Sequence, residues 1–219
     1  MQETSTDTMK QLTITIMLAL ALISCTPGTQ VARGNRILTD RDSYGYLFCH
    51  MSDYGQWTAF AISRDGQHFQ DVLGGGPIFD VTEAAAIEGG TRDAYICRRH
   101  DGNGYLMTTT DMNNSATERL GKKSEWENYG IDLLVSNDLL KWRSTSIDFR
   151  RWQPSVVRVW APQVIWDEEF VWEDGRKGGY MVYFSMLNSQ EEGYDRMYYS
   201  YADESFTTLT KPQLLLDWG

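Results

Sequence analysis

Short runs of apolar and β-branched residues alternate with turn signals along this chain, and none extends into the 3.6-residue period of a long helix. The runs at 46–50 and 57–62, at 94–98, 105–110 and 131–135, and at 163–166, 180–185, 196–201 and 213–216 read as strands. Arg64-Asp65-Gly66, Asp101-Gly102-Asn103-Gly104 and Asn137-Asp138-Leu139 supply turns between them, and Gly74-Gly75-Gly76-Pro77 punctuates the chain. Residues 82–87 read equally as a helical turn or a loop, and 111–128 as a polar insertion. The pattern predicts an all-β chain.

Within it one pattern occurs three times: Gly-Tyr-Leu/Met, a variable stretch, then Ser followed six residues later by an aromatic. The copies are Gly45-Tyr46-Leu47 with Ser63 and Phe69, Gly104-Tyr105-Leu106 with Ser136 and Trp142, and Gly179-Tyr180-Met181 with Ser200 and Phe206. A unit of this size, built from short strands and turns, suggests a four-stranded blade of a β-propeller. The units begin near Tyr44, Arg92 and Val159, so the expectation is an incomplete propeller, about three blades standing as an arc.

Composition narrows the function. Aromatic residues make up 13% of the chain, with eight Trp and twelve Tyr, and such side chains serve both strands and sugar-stacking platforms. The formal net charge of −10 argues against nucleic acid or another polyanion as partner. The sequence contains no phosphate-binding GxxxxGK[ST] loop, HExxH or CxxC zinc signal, or GxSxG nucleophile elbow.

Lys10 precedes an apolar run at 12–23 that is short for a membrane span and suited to an export signal. The run ends Leu22-Ile23-Ser24-Cys25, which resembles a bacterial lipobox. The organisation expected is a lipoprotein signal peptide over 1–24, a Gly- and Thr-rich tether over 25–43 starting at a lipidated Cys25, and a propeller domain over 44–219. That places the protein outside the cytoplasm, in the periplasm or at the cell surface, touching membrane only through its lipid. An ordinary signal peptide with an incidental Cys, or a buried apolar strand, is the plainer alternative. Cys49 and Cys97 lie in apolar strand-like runs and read as buried thiols rather than a disulfide framework.

Three strings carry the chemistry: Arg92-Asp93-Ala94-Tyr95-Ile96-Cys97-Arg98, Ser136-Asn137-Asp138-Leu139-Leu140-Lys141-Trp142, and Trp160-Ala161-Pro162. In this order they resemble glycoside hydrolase family 43, five-bladed propellers that include arabinofuranosidases, xylosidases, arabinanases and galactanases. The resemblance implies a hydrolase of arabinose-, xylose- or galactose-containing plant polysaccharides or oligosaccharides. It gives Asp93 the role of general base, facing a central funnel, in an inverting mechanism. Arg92 would favour the ionised base if it pointed inward. Trp160 would line the sugar site, or else pack against Pro162. His50 is a candidate for reaching the funnel from the first unit, although a lone His on an apolar strand is more often a satisfied core residue. Ala94 departs from the family's usual Pro. The resemblance assigns no cofactor; the axial calcium ion of some relatives finds no assignable ligands.

The family also needs a general acid Glu and an Asp that tunes it, both on later blades, and neither has a counterpart in context here. Glu168, Glu169, Glu173, Glu191 and Glu192 read as solvated loop charge. The sequence is therefore expected to be a truncated hydrolase, inactive alone. A non-catalytic carbohydrate-binding or assembly module is the competing reading. The stretch Ser63 to Phe69 is similar to a sialidase Asp-box, taken here as shared turn chemistry.

Overall fold

The computed structural model describes residues 45–217, apart from 53–54 and 191–192. The proposed signal peptide, Cys25 and tether lie outside the described residues. Eleven described strands form three antiparallel sheets, each a simple up-and-down meander. The first contains β1 (Tyr46–Met51), β2 (Thr58–Ser63) and β3 (Gln70–Asp71). The second contains β4 (Thr91–Arg98), β5 (Tyr105–Asp111), β6 (Gly130–Ser136) and β7 (Trp142–Asp148). The third contains β8 (Val156–Val171), β9 (Lys177–Asn188), β10 (Arg196–Ala202) and β11 (Gln213–Leu216). A short helix, α1 (Val81–Ala84), resolves the ambiguous 82–87 segment; the Asp80 carboxylate caps it by accepting from the Thr82 and Glu83 amides.

The sheets stack with a repeated stagger. β4 packs against β8, β1 packs against β4, and β5 packs in the same way against β8. The fold is thus a β-propeller arrangement of blades, with β4 and β8 as the innermost strands of theirs. The repeat assigns the remaining strands. Tyr46 pairs with Ser63 across β1 and β2, and Tyr105 pairs with Ser136 across β5 and β6. β1 therefore corresponds to β5, the second strand of a blade, and the first sheet has no counterpart of β4 or β8 among the described residues.

Two serine turns work alike. Ser63 Oγ accepts from the Asp65 and Gly66 amides, and Ser136 Oγ accepts from the Asp138 and Leu139 amides. The third copy slips. Tyr180 lies opposite Ala202, while Ser200 sits mid-strand opposite Val182 with its hydroxyl buried. Asp203 makes that turn instead, accepting from the Ser205 amide through its carboxylate and from the Phe206 amide through its carbonyl.

Burial explains why the middle strands read as nearly continuous apolar runs. Sheet two is covered on both faces, so β6 is buried at every position. Leu106, Ile131, Leu133 and Val135 pack toward Val164, Tyr180, Val182 and Phe184 of sheet three. The alternate residues Met107 and Leu134 pack toward Cys49 and Ala84 on the other side. Cys49 and Cys97 are free, and burial pushes their thiols up to about 12 and about 11.

Candidate functional site

Both inner strands carry the same irregularity, near the start of β4 and within the first half of β8. In β4 the pairing with β5 jumps from Arg92–Thr110 to Tyr95–Thr108, leaving Asp93 and Ala94 in a bulge. In β8 the pairing with β9 jumps from Trp160–Ser185 to Gln163–Tyr183, leaving Ala161 and Pro162 in a bulge. Asp93 has φ 52° and Ala161 φ 48°, both in the left-handed region. A non-glycine residue held there costs roughly 1–2 kcal/mol, so the surroundings must impose it. The register makes Arg92 and Trp160 equivalent, Asp93 and Ala161 equivalent, and Ala94 and Pro162 equivalent.

Neighbouring hydroxyls impose the geometry. Thr110 Oγ1 accepts from the Ala161 amide at 2.9 Å, and Thr108 Oγ1 donates to the Pro162 carbonyl at 2.7 Å. These two bonds fix the β8 bulge to the strand that pairs with the β4 bulge. On the other side, Thr58 Oγ1 donates to the Thr91 carbonyl and the Thr58 amide donates to Thr91 Oγ1.

The approach to β4 is clamped from inside. The buried Asp111 carboxylate accepts from the Ile87, Glu88 and Gly89 amides. Burial still pushes it above the ordinary carboxylate range, against the pull of those amides. Glu88 and Lys122 form an ion pair of 2.7 Å with both side chains 0% exposed, and Glu88 also accepts from the Asn113 amide. Burial raises Glu88, opposed chiefly by Lys122. Asp132 lies under the same sheet face, held by Thr109 Oγ1 and Ser146 Oγ, and burial drives its carboxyl well above the usual range.

Against this frame the sequence candidates separate. Asp93 is exposed and makes no hydrogen bond or ion pair among the described residues. Arg92 turns toward Gln56 Oε1 and Asn114 Oδ1 rather than pairing with Asp93, and its Nε is buried without a partner among the described residues. Trp160 is half-buried, lies edge-on to Trp126 and carries the Arg158 guanidinium 4.5 Å over its ring. Its indole N–H is likewise buried without a partner among the described residues. Arg92 and Asp93 thus lie at the β4 bulge and Trp160 beside the equivalent bulge of β8, with Asp93 exposed and the Arg92 Nε and Trp160 indole N–H buried. His50 stands apart on β1, stacked on Phe48 and facing Asp71 at 3.4 Å, on the face opposite Cys49.

Glu88, Asp111, Lys122 and Asp132 belong to no motif in the sequence. Only Asp132 left a signal, one charged residue inside the apolar run Ile131-Asp132-Leu133-Leu134. Among the described residues no three His, Cys, Asp or Glu side chains converge as a metal cage.

Residues 42–219 match a family model described as a probable glycosyl hydrolase domain, related to family 43. The alpha-L-arabinofuranosidase of Bifidobacterium longum subsp. longum is 25% identical over a region covering 61% of this chain and 13% of that enzyme. The chain thus spans about an eighth of that relative's length. A fructofuranosidase from Schwanniomyces occidentalis, solved with fructosylnystose, superposes with a TM-score of 0.49 at 16% identity, covering 75% of this chain and 28% of the other.

Proposed function

The chain belongs to the family 43-related glycosyl hydrolase domains, and on that premise we propose that it acts on O-glycosidic bonds with Asp93 as general base. The substrates proposed are polysaccharides or oligosaccharides containing arabinose, xylose or galactose. The observation that carries this reading is the β4 bulge, which holds an exposed, unpaired carboxylate in a strained backbone conformation. Asp93 would take a proton from a water as its oxygen attacks the anomeric carbon on the face opposite the leaving group. A carboxylic acid about 6.5–9.5 Å away would protonate the departing oxygen. The half-exposed ring of Trp160 suits the C–H face of a bound sugar.

Of the two equivalent inner-strand bulges with a left-handed residue, one carries Asp93 and the other Ala161. That single carboxylate favours a second reading, a carbohydrate-binding module without turnover. Glycosyl fluorides separate the two, because fluoride departs without protonation and leaves only the base to be supplied. Incubated with arabinofuranosyl or xylosyl fluoride, the chain should release fluoride above background, and Asp93→Asn should stop it. Saturable oligosaccharide binding with no fluoride release in either form would establish the binding module instead.

We further propose export and lipidation at Cys25. Radiolabelled palmitate should enter the wild-type chain in a bacterial host and not Cys25→Ser; equal labelling of both would reject the anchor.

A further inference from the structure

At the opposite end of β4 from Asp93, a cavity of about 880 Å³ opens between the first and second sheets. Asp93 and Arg98 are separated by roughly 15 Å at the usual rise of a strand, so this cavity is distinct from the bulge site. Its wall includes Tyr46, 57% exposed, whose ring lies over the turn at Gly66. Gly66 has φ 74°, and a Cβ there would approach that ring to 3.3 Å, so the glycine lets the aromatic lie close. Leu47, Ile62 and Leu139 add an apolar floor.

The charged groups around the cavity are unequal. Asp65 is already engaged, accepting from Ser63 Oγ and from the Gln67 and His68 amides, and pairing with His68 at 2.7 Å. Arg98 donates one N–H to the Tyr105 hydroxyl and sits over its ring. Neither Arg98 nor Arg64 has a carboxylate partner among the described residues. Two arginines without counter-ions therefore face an open cavity with an aromatic wall, in a chain of net charge −10.

We propose that this cavity is a second carbohydrate site, one that takes a uronic acid residue. The arginine forks would hold the sugar carboxylate, and the tyrosine and leucine surfaces would cover its C–H face. The overall negative charge disfavours a nucleic acid or other dense polyanion there. This proposal does not depend on Asp93 being a catalytic base.

The test is calorimetric titration of the full chain with trigalacturonic acid and with the same trisaccharide after carboxyl reduction. Saturable binding of the acidic sugar is expected, with the reduced sugar weaker by about tenfold or more. Arg64→Gln, at an exposed position, should weaken the acidic sugar severalfold, and Arg64→Gln with Arg98→Gln by at least about tenfold. Asp93→Asn should bind as the wild type does. Equal binding of the reduced sugar, wild-type affinity in the arginine variants, or loss of binding in Asp93→Asn would each overturn the proposal. So would inorganic phosphate competing as strongly as the uronate, which would make this a simple anion site.

Discussion

The second and third sheets share strand order, direction and a left-handed bulge in the inner strand, yet they hide different interiors. Beneath the Asp93 bulge lie Asp111, Asp132 and the Glu88–Lys122 pair, all buried and nearly all hydrogen-bonded. Sheet three, whose bulge holds Ala161, presents Tyr180, Val182, Phe184 and Met186 to its neighbour instead. The bulge is therefore a property of the blade architecture, and the chemistry is a property of one residue placed on it. Buried polar networks are costly when incomplete. Here the network fixes the loop that leads into β4, and so the direction in which Asp93 points.

The largest break in the comparison should come from Asp93→Asn. Fluoride release should fall by about 10²–10⁴-fold, with an unchanged thermal midpoint, since Asn tolerates the left-handed conformation. A shifted midpoint would make Asp93 a structural residue. Next, Lys122→Ala leaves Glu88 charged and buried alone, and should lower stability by about 3–5 kcal/mol in urea unfolding. A change under 1 kcal/mol would mean that water reaches Glu88.

Asp132→Asn sharpens the contrast through pH. The Asp132 carboxyl is raised in the fold, so the stability it contributes is complete below the ordinary carboxylate range and lost as pH rises through its higher folded value. Asn keeps hydrogen-bonding capacity and cannot ionise. Urea midpoints of the wild type relative to the variant should therefore decline from pH 4 upward; a constant difference would show that Asp132 ionises normally. Asp111, also raised, stays in both proteins. The smallest effect is Ala161→Gly, which relieves φ 48° and should add about 1 kcal/mol. Destabilisation instead would show that the methyl group packs usefully.

Much of the architecture was legible because strands covered on both faces leave unmistakable apolar runs, as at 131–135, and because Ser63 and Ser136 repeat one turn. The third copy misled because Ser200 matches the spacing while the backbone uses Asp203. The repeat spacing starts the first unit near Tyr44 without saying which strand of a blade comes first, and the Tyr46–Ser63 register gives β1 the place of β5. Lys122 was hidden in a polar insertion, where its partner lies in a distant loop and nothing local distinguishes a buried lysine from a solvated one. Ala161 was equally silent, since alanine has no preference for positive φ and the strain comes from Thr110 and Thr108 across the blade boundary.

Those threonines have a mechanical consequence. Thr58 with Thr91, and Thr108 and Thr110 with β8, rivet successive blades together at the end where the bulges lie. Directional bonds resist sliding in a way that greasy contact does not, so this rim acts like the pinned pivot of a fan. Two hydroxyls tie the backbone next to Trp160 to the strand that pairs with the Asp93 bulge, so both bulges rest on one support.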